Sequence, residues 1–445
     1  MKKSYTDSFF DVGSKHGFLP NNHPLTSLPN RYNSLQRLLD NMPVKLSDGS
    51  NGYLAIPNKI ENEVERLPNY IDLVKKESEI LIIQALYRAY CFLTSAYTLE
   101  LSYQEFVKTK KYGKARQILP KQVAQPFVCV SEKLDVYPWL DYHYAYSLGN
   151  YRFLDKSKGF HWSNLDQCVK FSGTSDESGF IMNHVDINQH SPKLVESVLE
   201  SLNAIKDDDQ EKLNENLKQN FHSMVFVNDR RKDMWVASRW KHYNDFRIFI
   251  MGIKGNNEIF DDGLVYQGVW DEPKQYRGQT GAQDNIIPME DIFSGVINFY
   301  PDNQLTKYLL DLRKYRPKCI QNFFVDLKQD IDSIHGGSIF NFLKSSQNSV
   351  GMCYLLAIVE EIYKFRNGHW QFVQKYIMSN TKYAKATGGT PIISWIPNQI
   401  KSVLNFIEVI LHELQSMDKD FDNKQNEFFI NSLNTYKSKK KLLDK

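Results

Sequence analysis

The sequence predicts a mainly α-helical protein in which a large all-α part follows a smaller, mostly helical N-terminal part. Three observations carry that expectation. Over Ser349–Ile377 the apolar residues Leu355, Ile358, Ile362, Phe365, Phe372 and Tyr376 recur in steps of three, four and seven, so they share one helix face. The same stepping runs through Ile80, Ile83, Leu86, Tyr87, Tyr90 and Leu93. From Phe180 onward, stretches with helical patterning alternate with glycine-bearing loops.

In chain order, residues 1–50 are rich in Pro, Asn and turn formers, with one short helical piece near Tyr32–Leu39, and read as a wrapping arm. Glu61–Leu67 follows, then Lys75–Leu101 as the main helix of the N-terminal unit. Between Pro120 and Gly173 the pattern breaks around Pro126, Pro138, Gly149 and Gly159, with a tyrosine-dense run at Tyr142-His143-Tyr144-Ala145-Tyr146. Helices are expected at Phe180–Asn203, Gln210–Val225, Trp235–Met251, Ala282–Ile297, Asn303–Tyr315, Ser349–Ile377, Pro391–Met417 and Lys424–Leu443. The expected division is 1–165 and 166–445, and no internal repeat interrupts it.

Composition narrows the function. Apolar residues make up 42% and aromatics 13%, with 25 Tyr and 27 Phe, enough to wall off a large flat ligand. A net charge of +3 is too small to suggest nucleic acid, and the basic run Lys437–Lys441 reads as a solvated end. The five cysteines form no CxxC or CxxCH pair, which argues against structural zinc, iron–sulfur clusters and covalently attached haem. Any haem would be the non-covalent b type. With no apolar leader and no uninterrupted apolar run of spanning length, neither secretion nor a membrane span is expected, and a cytoplasmic, reducing location is the default.

His369 falls on the apolar stripe of the Ser349 helix, so its imidazole points at the core. Such a histidine is more often a hydrogen-bonded core residue than a haem or metal ligand. Ala386-Thr387-Gly388-Gly389-Thr390-Pro391 reads either as a helix cap or as a flexible loop meeting a polar substrate group. Gly278-Gln279-Thr280-Gly281 lacks the spacing of a dinucleotide site. Arg247 lies among Phe246, Ile248 and Ile250, so a buried guanidinium there needs an anionic partner. Asp245 and Asp261 are the structural options, and both are poorly placed on a helix.

Four stretches in this order, RIFIMGIKGN (Arg247–Asn256), DDGLVYQGVWDEPKQYRGQTGAQ (Asp261–Gln283), FRNGHWQFVQKYI (Phe365–Ile377) and ATGGT (Ala386–Thr390), resemble the indoleamine 2,3-dioxygenase family. His16–Leu35 resembles that family's opening segment. The resemblance implies a small N-terminal domain packed over the distal side of a large all-α domain that holds haem b. By the same resemblance His369 matches the proximal iron ligand. Arg366 matches the arginine one turn earlier, and Asp291 its acidic partner. Arg247 matches the arginine that holds the carboxylate of the amino-acid substrate, and Tyr243 a pocket aromatic. Phe180 and Gly281 match substrate-pocket positions, and Thr387 with Gly388 the loop that meets the substrate ammonium and a haem propionate. Thr280 replaces the family's loop serine, His242 replaces a distal phenylalanine, and His184 falls where animal enzymes carry a serine and tryptophan 2,3-dioxygenases a histidine. His143 and Tyr146 fall near two further pocket positions.

The implied reaction inserts both atoms of dioxygen across the indole C2=C3 bond of L-tryptophan, or a close indole, to give N-formylkynurenine. A reductant brings ferric haem to ferrous. Two other classes stay open: a superfamily haem enzyme with different chemistry on a tryptophan derivative, as in pyrrolnitrin formation, and a non-catalytic haem-binding or gas-sensing protein. A carboxylate clamp has no purpose in a sensor, so Arg247 with Thr387 favours the enzyme.

Overall fold

Residues 4–379, 383, 385–387 and 392–443 are described in a computed structural model of the chain. The principal helices are α1 (Asn33–Asn41), α2 (Ile80–Thr109), α3 (Lys121–Lys133), α4 (Ser175–Asn188), α5 (Ser191–Lys206), α6 (Gln210–Lys232), α7 (Ile286–Ser294), α8 (Gln304–Leu312), α9 (Lys318–Asp332), α10 (Ile339–Ser345), α11 (Ser349–Phe372), α12 (Ile392–Ser416) and α13 (Asn423–Leu443). Strands are few and short: β1 (Ile118–Leu119) pairs in parallel with β4 (Val265–Tyr266), and β2 (Tyr151–Phe153) pairs antiparallel with β3 (Leu165–Gln167). The mainly α expectation is met.

α2 is long and apolar enough to cross a membrane by length and composition, but 89% of its most apolar window is buried inside the protein. Its polar residues explain that position. Gln84 Nε2 donates to the carbonyl of Gly149 (2.9 Å), Arg88 Nη1 to the same carbonyl (2.7 Å), and Ser95 Oγ to the carbonyl of Phe249. Buried donors need acceptors, so these bonds tie the tyrosine-dense loop and the Ile248–Ile250 turn to one rigid rod. The tyrosine run itself is a single π-helical turn capped by Asp141, whose carboxylate accepts from the amides of Ala145 (2.8 Å), Tyr144 (3.1 Å) and His143 (3.2 Å).

Three expectations need correction. Pro126 does not break the pattern, because it sits inside α3. The expected Phe180–Asn203 helix is two: α4 ends at Asn188 and α5 restarts with Pro192 in its first turn, where proline's missing N–H costs nothing. At that break the arm docks, with Phe18 N–H donating to Ser191 Oγ (2.9 Å). The expected Trp235–Met251 helix is a chain of short turns, Met234–Ala237, Trp240–His242, Asn244–Arg247 and Ile248–Ile250. The chain turns extended at Ser238, and there a Cβ on Gly179 would lie 1.8 Å from the carbonyl oxygen of Ala237, so only glycine lets α4 pack directly on this backbone. Helices α9 and α10 lie outside those expected.

α11 packs between α6 and α12. Asn348 caps its start by accepting from Gly351 N–H (2.8 Å), and its end widens into the π-helical turn Val373–Met378. His369 lies on the last α-helical turn, where the helix emerges from the core.

Candidate active site

His369 keeps an exposed side chain at the end of α11, although the protein packed around that turn still depresses its pKa. The ring hydrogen-bonds to no described residue. Burial, with a smaller push from Arg231 and then His184, lowers its pKa to about 4, so the ring is neutral at pH 7 and keeps a lone pair for a metal. His184 on α4 is partly open and likewise without a described hydrogen bond, and burial also lowers its pKa. The two rings are close enough to act on each other electrostatically.

Aromatic rings wall the His184 side. Phe180 lies 5.5 Å from His184, 5.1 Å from Tyr243 and 5.5 Å from Phe246 by ring centroids. Tyr142 stands edge-on to His184 at 5.8 Å and donates to Asp284 Oδ2 (2.7 Å), which also accepts from Asn188 (2.7 Å). Gly281 passes over the ring: a Cβ there would meet His184 Cε1 at 3.5 Å. Tyr146 is fully buried and its hydroxyl has no hydrogen-bond partner. His143 turns away from this group to Asn285 Oδ1 (3.1 Å).

Arg247 is fully buried. Its Nη1 donates to the hydroxyl of Tyr112 (2.8 Å), its Nη2 to the carbonyl of Lys385 (2.6 Å), and its Nε has no acceptor. Tyr112, Tyr243 and Tyr383 surround it, and among the described residues no carboxylate pairs with it. The two acids considered from sequence are both engaged elsewhere: Asp245 with His242 (3.0 Å) and Asp261 with Lys114. Burying a cation this deeply is expensive unless an anion completes it.

Two loops close beside Arg247 through glycines. Gly252 N–H donates to the carbonyl of Thr387 (2.8 Å). A Cβ on Gly278 would lie 2.3 Å from Gly252 N and 2.6 Å from Thr387 O, so only glycine allows this three-way approach. Thr387 Oγ1 donates to the carbonyl of Gln279 (2.7 Å), which leaves its lone pairs free to accept. Thr280 caps the next turn, accepting from Ala282 N–H while Gln283 reaches back to Thr280 N–H (3.1 Å). Gly388 lies outside the described residues.

On the His369 side, Arg366 Nη2 donates to Asp291 Oδ2 (2.6 Å) and to the hydroxyl of Tyr300 (2.8 Å). Burial raises the Asp291 pKa against the pull of Arg366. Asp291 Oδ1 and Arg366 Nη1 are buried without partners, so the triad has polar capacity to spare.

The structure therefore brings His184, Phe180, Tyr243 and Gly281 into one group, with Arg247 and Thr387 joined to each other by the segment around Lys385. His369 and Arg366 lie together near the end of α11. It does not bring His242 in: that side chain is 43% exposed and directed at Asp245. Sequence reasoning missed Tyr112, Phe246 and Tyr300. Phe246 had a readable signal, as an apolar neighbour of Arg247, whereas the two tyrosines sit in loops far away in sequence.

A neutral histidine with open surface, a second histidine within electrostatic reach of it, and a glycine and aromatic rings around that second histidine fit a haem, with His369 as the residue that would hold its iron. Comparison with known proteins agrees. The indoleamine 2,3-dioxygenase family model matches residues 6–428. Indoleamine 2,3-dioxygenase 1 of Rattus norvegicus is 24% identical over 393 residues, 84% of this chain and 89% of that protein. Indoleamine 2,3-dioxygenase nanC of Aspergillus nanangensis is 23% identical over 436 residues, 90% and 97%. The 6-hydroxytryptophan 2,3-dioxygenase fscD of Fusarium equiseti is 23% identical over 382 residues, 83% and 84%. With the family model covering nearly the whole chain and the fold and paired histidines in agreement, this chain is an enzyme of the indoleamine 2,3-dioxygenase family, whose members are haem-dependent dioxygenases.

Proposed function

We propose that the protein binds haem b through His369 and inserts both atoms of dioxygen across the C2=C3 bond of L-tryptophan, or of a closely related indole, giving N-formylkynurenine or its counterpart. The observation that carries this reading is Arg247: a fully buried guanidinium with no described carboxylate, one orphaned N–H and a wall of aromatics beside it. An α-amino acid with a flat side chain supplies both missing parts. Haem, when bound, supplies the ferrous centre at which dioxygen reacts.

The chain's own residues then do positional work. Arg247 takes the substrate carboxylate through its planar fork, and Thr387 Oγ1 accepts from the ammonium group. Phe180, Tyr243 and Phe246 stack around the indole and exclude water. His184, neutral because burial lowers its pKa, accepts the indole N–H. Holding both partners in reacting geometry is the main contribution a protein can make to such a step. The division near residue 165 belongs to the same reading, since Tyr112 and Tyr142–Tyr146 cover the distal side. Dioxygen and a reductant that keeps the iron ferrous are the required partners, in a cytoplasmic setting.

The test is turnover of the reduced, haem-loaded protein with L-tryptophan under labelled dioxygen, read by mass. Two labelled oxygens in a single ring-opened product are expected. A rearranged product with the ring nitrogen retained in a new heterocycle, or one labelled oxygen, overturns the reading.

A further inference from the structure

The groove between α6 and α11 holds a charged side chain that the proposed chemistry does not use. Its cavity has a volume of about 380 Å³, walled by Asn228, Arg231 and Lys232 of α6 and by Glu361, Lys364 and Gly368 of α11. Arg231 is only 9% exposed, and its position is set from three directions. Asn228 Nδ2 donates to Glu361 Oε2 (2.8 Å) and to the Glu361 carbonyl (3.0 Å), which turns Asn228 Oδ1 towards Arg231 Nε (3.2 Å). The rings of Phe365 and Phe372 lie 5.8 and 5.5 Å from the guanidinium carbon. Gly368 leaves the space, because a Cβ there would fall 1.9 Å from Arg231 Nη1.

What remains is a fork without a partner. Arg231 forms no ion pair among the described residues, and neither terminal nitrogen donates to any of them. The other charges in the groove cancel one another: Lys232 with Asp229 (2.7 Å) and Lys364 with Glu361 (2.6 Å). Glu361 attracts Arg231 across the groove, but its two oxygens accept from Asn228 and Lys364 and neither accepts from Arg231. Phe365, Gly368 and Phe372 are also neighbours of His369 on α11, so the fork stands over the very turn that carries that histidine.

We propose that Arg231 is a carboxylate-binding residue: with Nε held by Asn228, its two terminal nitrogens take a carboxylate at this groove, bidentately, beside the turn of His369. The carboxylate can come from a propionate of haem, which rests on the haem reading above, or from a free organic acid entering the groove, which does not.

Two arms separate the sources. In the first, apo-protein is titrated with haemin and with haemin dimethyl ester, read at the Soret band. If a propionate is the ligand, wild type prefers haemin by about tenfold or more, and Arg231→Gln loses that preference. In the second, the thermal shift of apo-protein with sodium benzoate is measured against sodium chloride at equal ionic strength. If a free acid is the ligand, wild type shows a benzoate-specific rise that Arg231→Gln lacks. Gly368→Ala, which displaces the guanidinium while keeping its charge, reproduces the loss in whichever arm responds. Lys232→Gln, which removes a charge paired with Asp229 and leaves Glu361 untouched, leaves that response intact.

Circular dichroism confirms that each variant is folded, and Gly368→Ala serves if Arg231→Gln is not. Identical behaviour of wild type and Arg231→Gln in both arms overturns the proposal, as does an equal loss in Lys232→Gln. A wild type that takes up no haemin refutes the haem reading alone, and the benzoate arm then decides this proposal.

Discussion

Arg247 and Arg366 are both buried arginines, and they are treated differently. Arg366 has its counter-ion inside the fold, Asp291 at 2.6 Å, with Tyr300 completing the cluster. Arg247 has three tyrosines, one carbonyl and no described carboxylate. A paired buried arginine is complete once the chain folds, so its role is to brace α7 against α11. An unpaired one is complete only when an anion arrives. The contrast separates scaffold from substrate site without reference to any relative.

The largest expected effect lies on the braced helix α11. His369→Ala folds as a helical protein with little haem, and added imidazole partly restores the Soret band. A wild-type spectrum in that variant removes His369 as the ligand and makes His184 the next candidate.

Breaking the paired arginine comes next. Asp291→Ala leaves Arg366 buried with only a phenol beside it and costs about 3–5 kcal/mol in urea unfolding of the apo-protein. Arg247→Met in the same experiment changes stability by less than about 1 kcal/mol, because it removes a charge the fold never neutralised. Equal losses would erase the distinction between the two arginines.

A smaller effect concerns the second histidine. His184→Ser narrows the preference for L-tryptophan over 1-methyl-tryptophan by roughly two- to tenfold, the span of one hydrogen bond. An unchanged ratio places His184 outside the substrate's reach.

The smallest is a pH effect behind Arg366. Burial, with Asn220 opposing and Asp291 adding to it, raises the Glu290 pKa to about 8. The folded state therefore holds a proton that the unfolded chain releases from about pH 4.5 upward, and this contribution to stability is lost as pH rises through about 8. Glu290→Gln keeps the acceptor for Asn220 without the charge, so it melts a few degrees above wild type at pH 8 and level with it near pH 4.5. The opposite trend contradicts a neutral buried Glu290.

Much of this was legible in the sequence, and the failures have physical causes. The stripe that holds His369 is readable because helix periodicity alone places the ring inward. The need of Arg247 for an anion is readable from its apolar neighbours. Its true surroundings are not: Tyr112 is 135 residues away in sequence, within a Lys-rich stretch that reads as solvated. Tyr300 is likewise invisible until α7 and α11 pack. The broken backbone around residues 234–250 packs against Gly179 of another helix, a long-range contact that no local propensity encodes. His242 misleads for the same reason, since those short turns rotate it out to Asp245.

The central claim is that Arg247 awaits a substrate carboxylate. The most direct measurement is kcat/KM of wild type and Arg247→Ala on L-tryptophan and on tryptamine, which lacks the carboxylate, in variants shown to hold haem with a normal ferrous–CO spectrum. The account predicts a loss of about ten- to a hundredfold or more on L-tryptophan and a far smaller one on tryptamine. Equal losses on both would mean that Arg247 serves the fold rather than the substrate, and would contradict it.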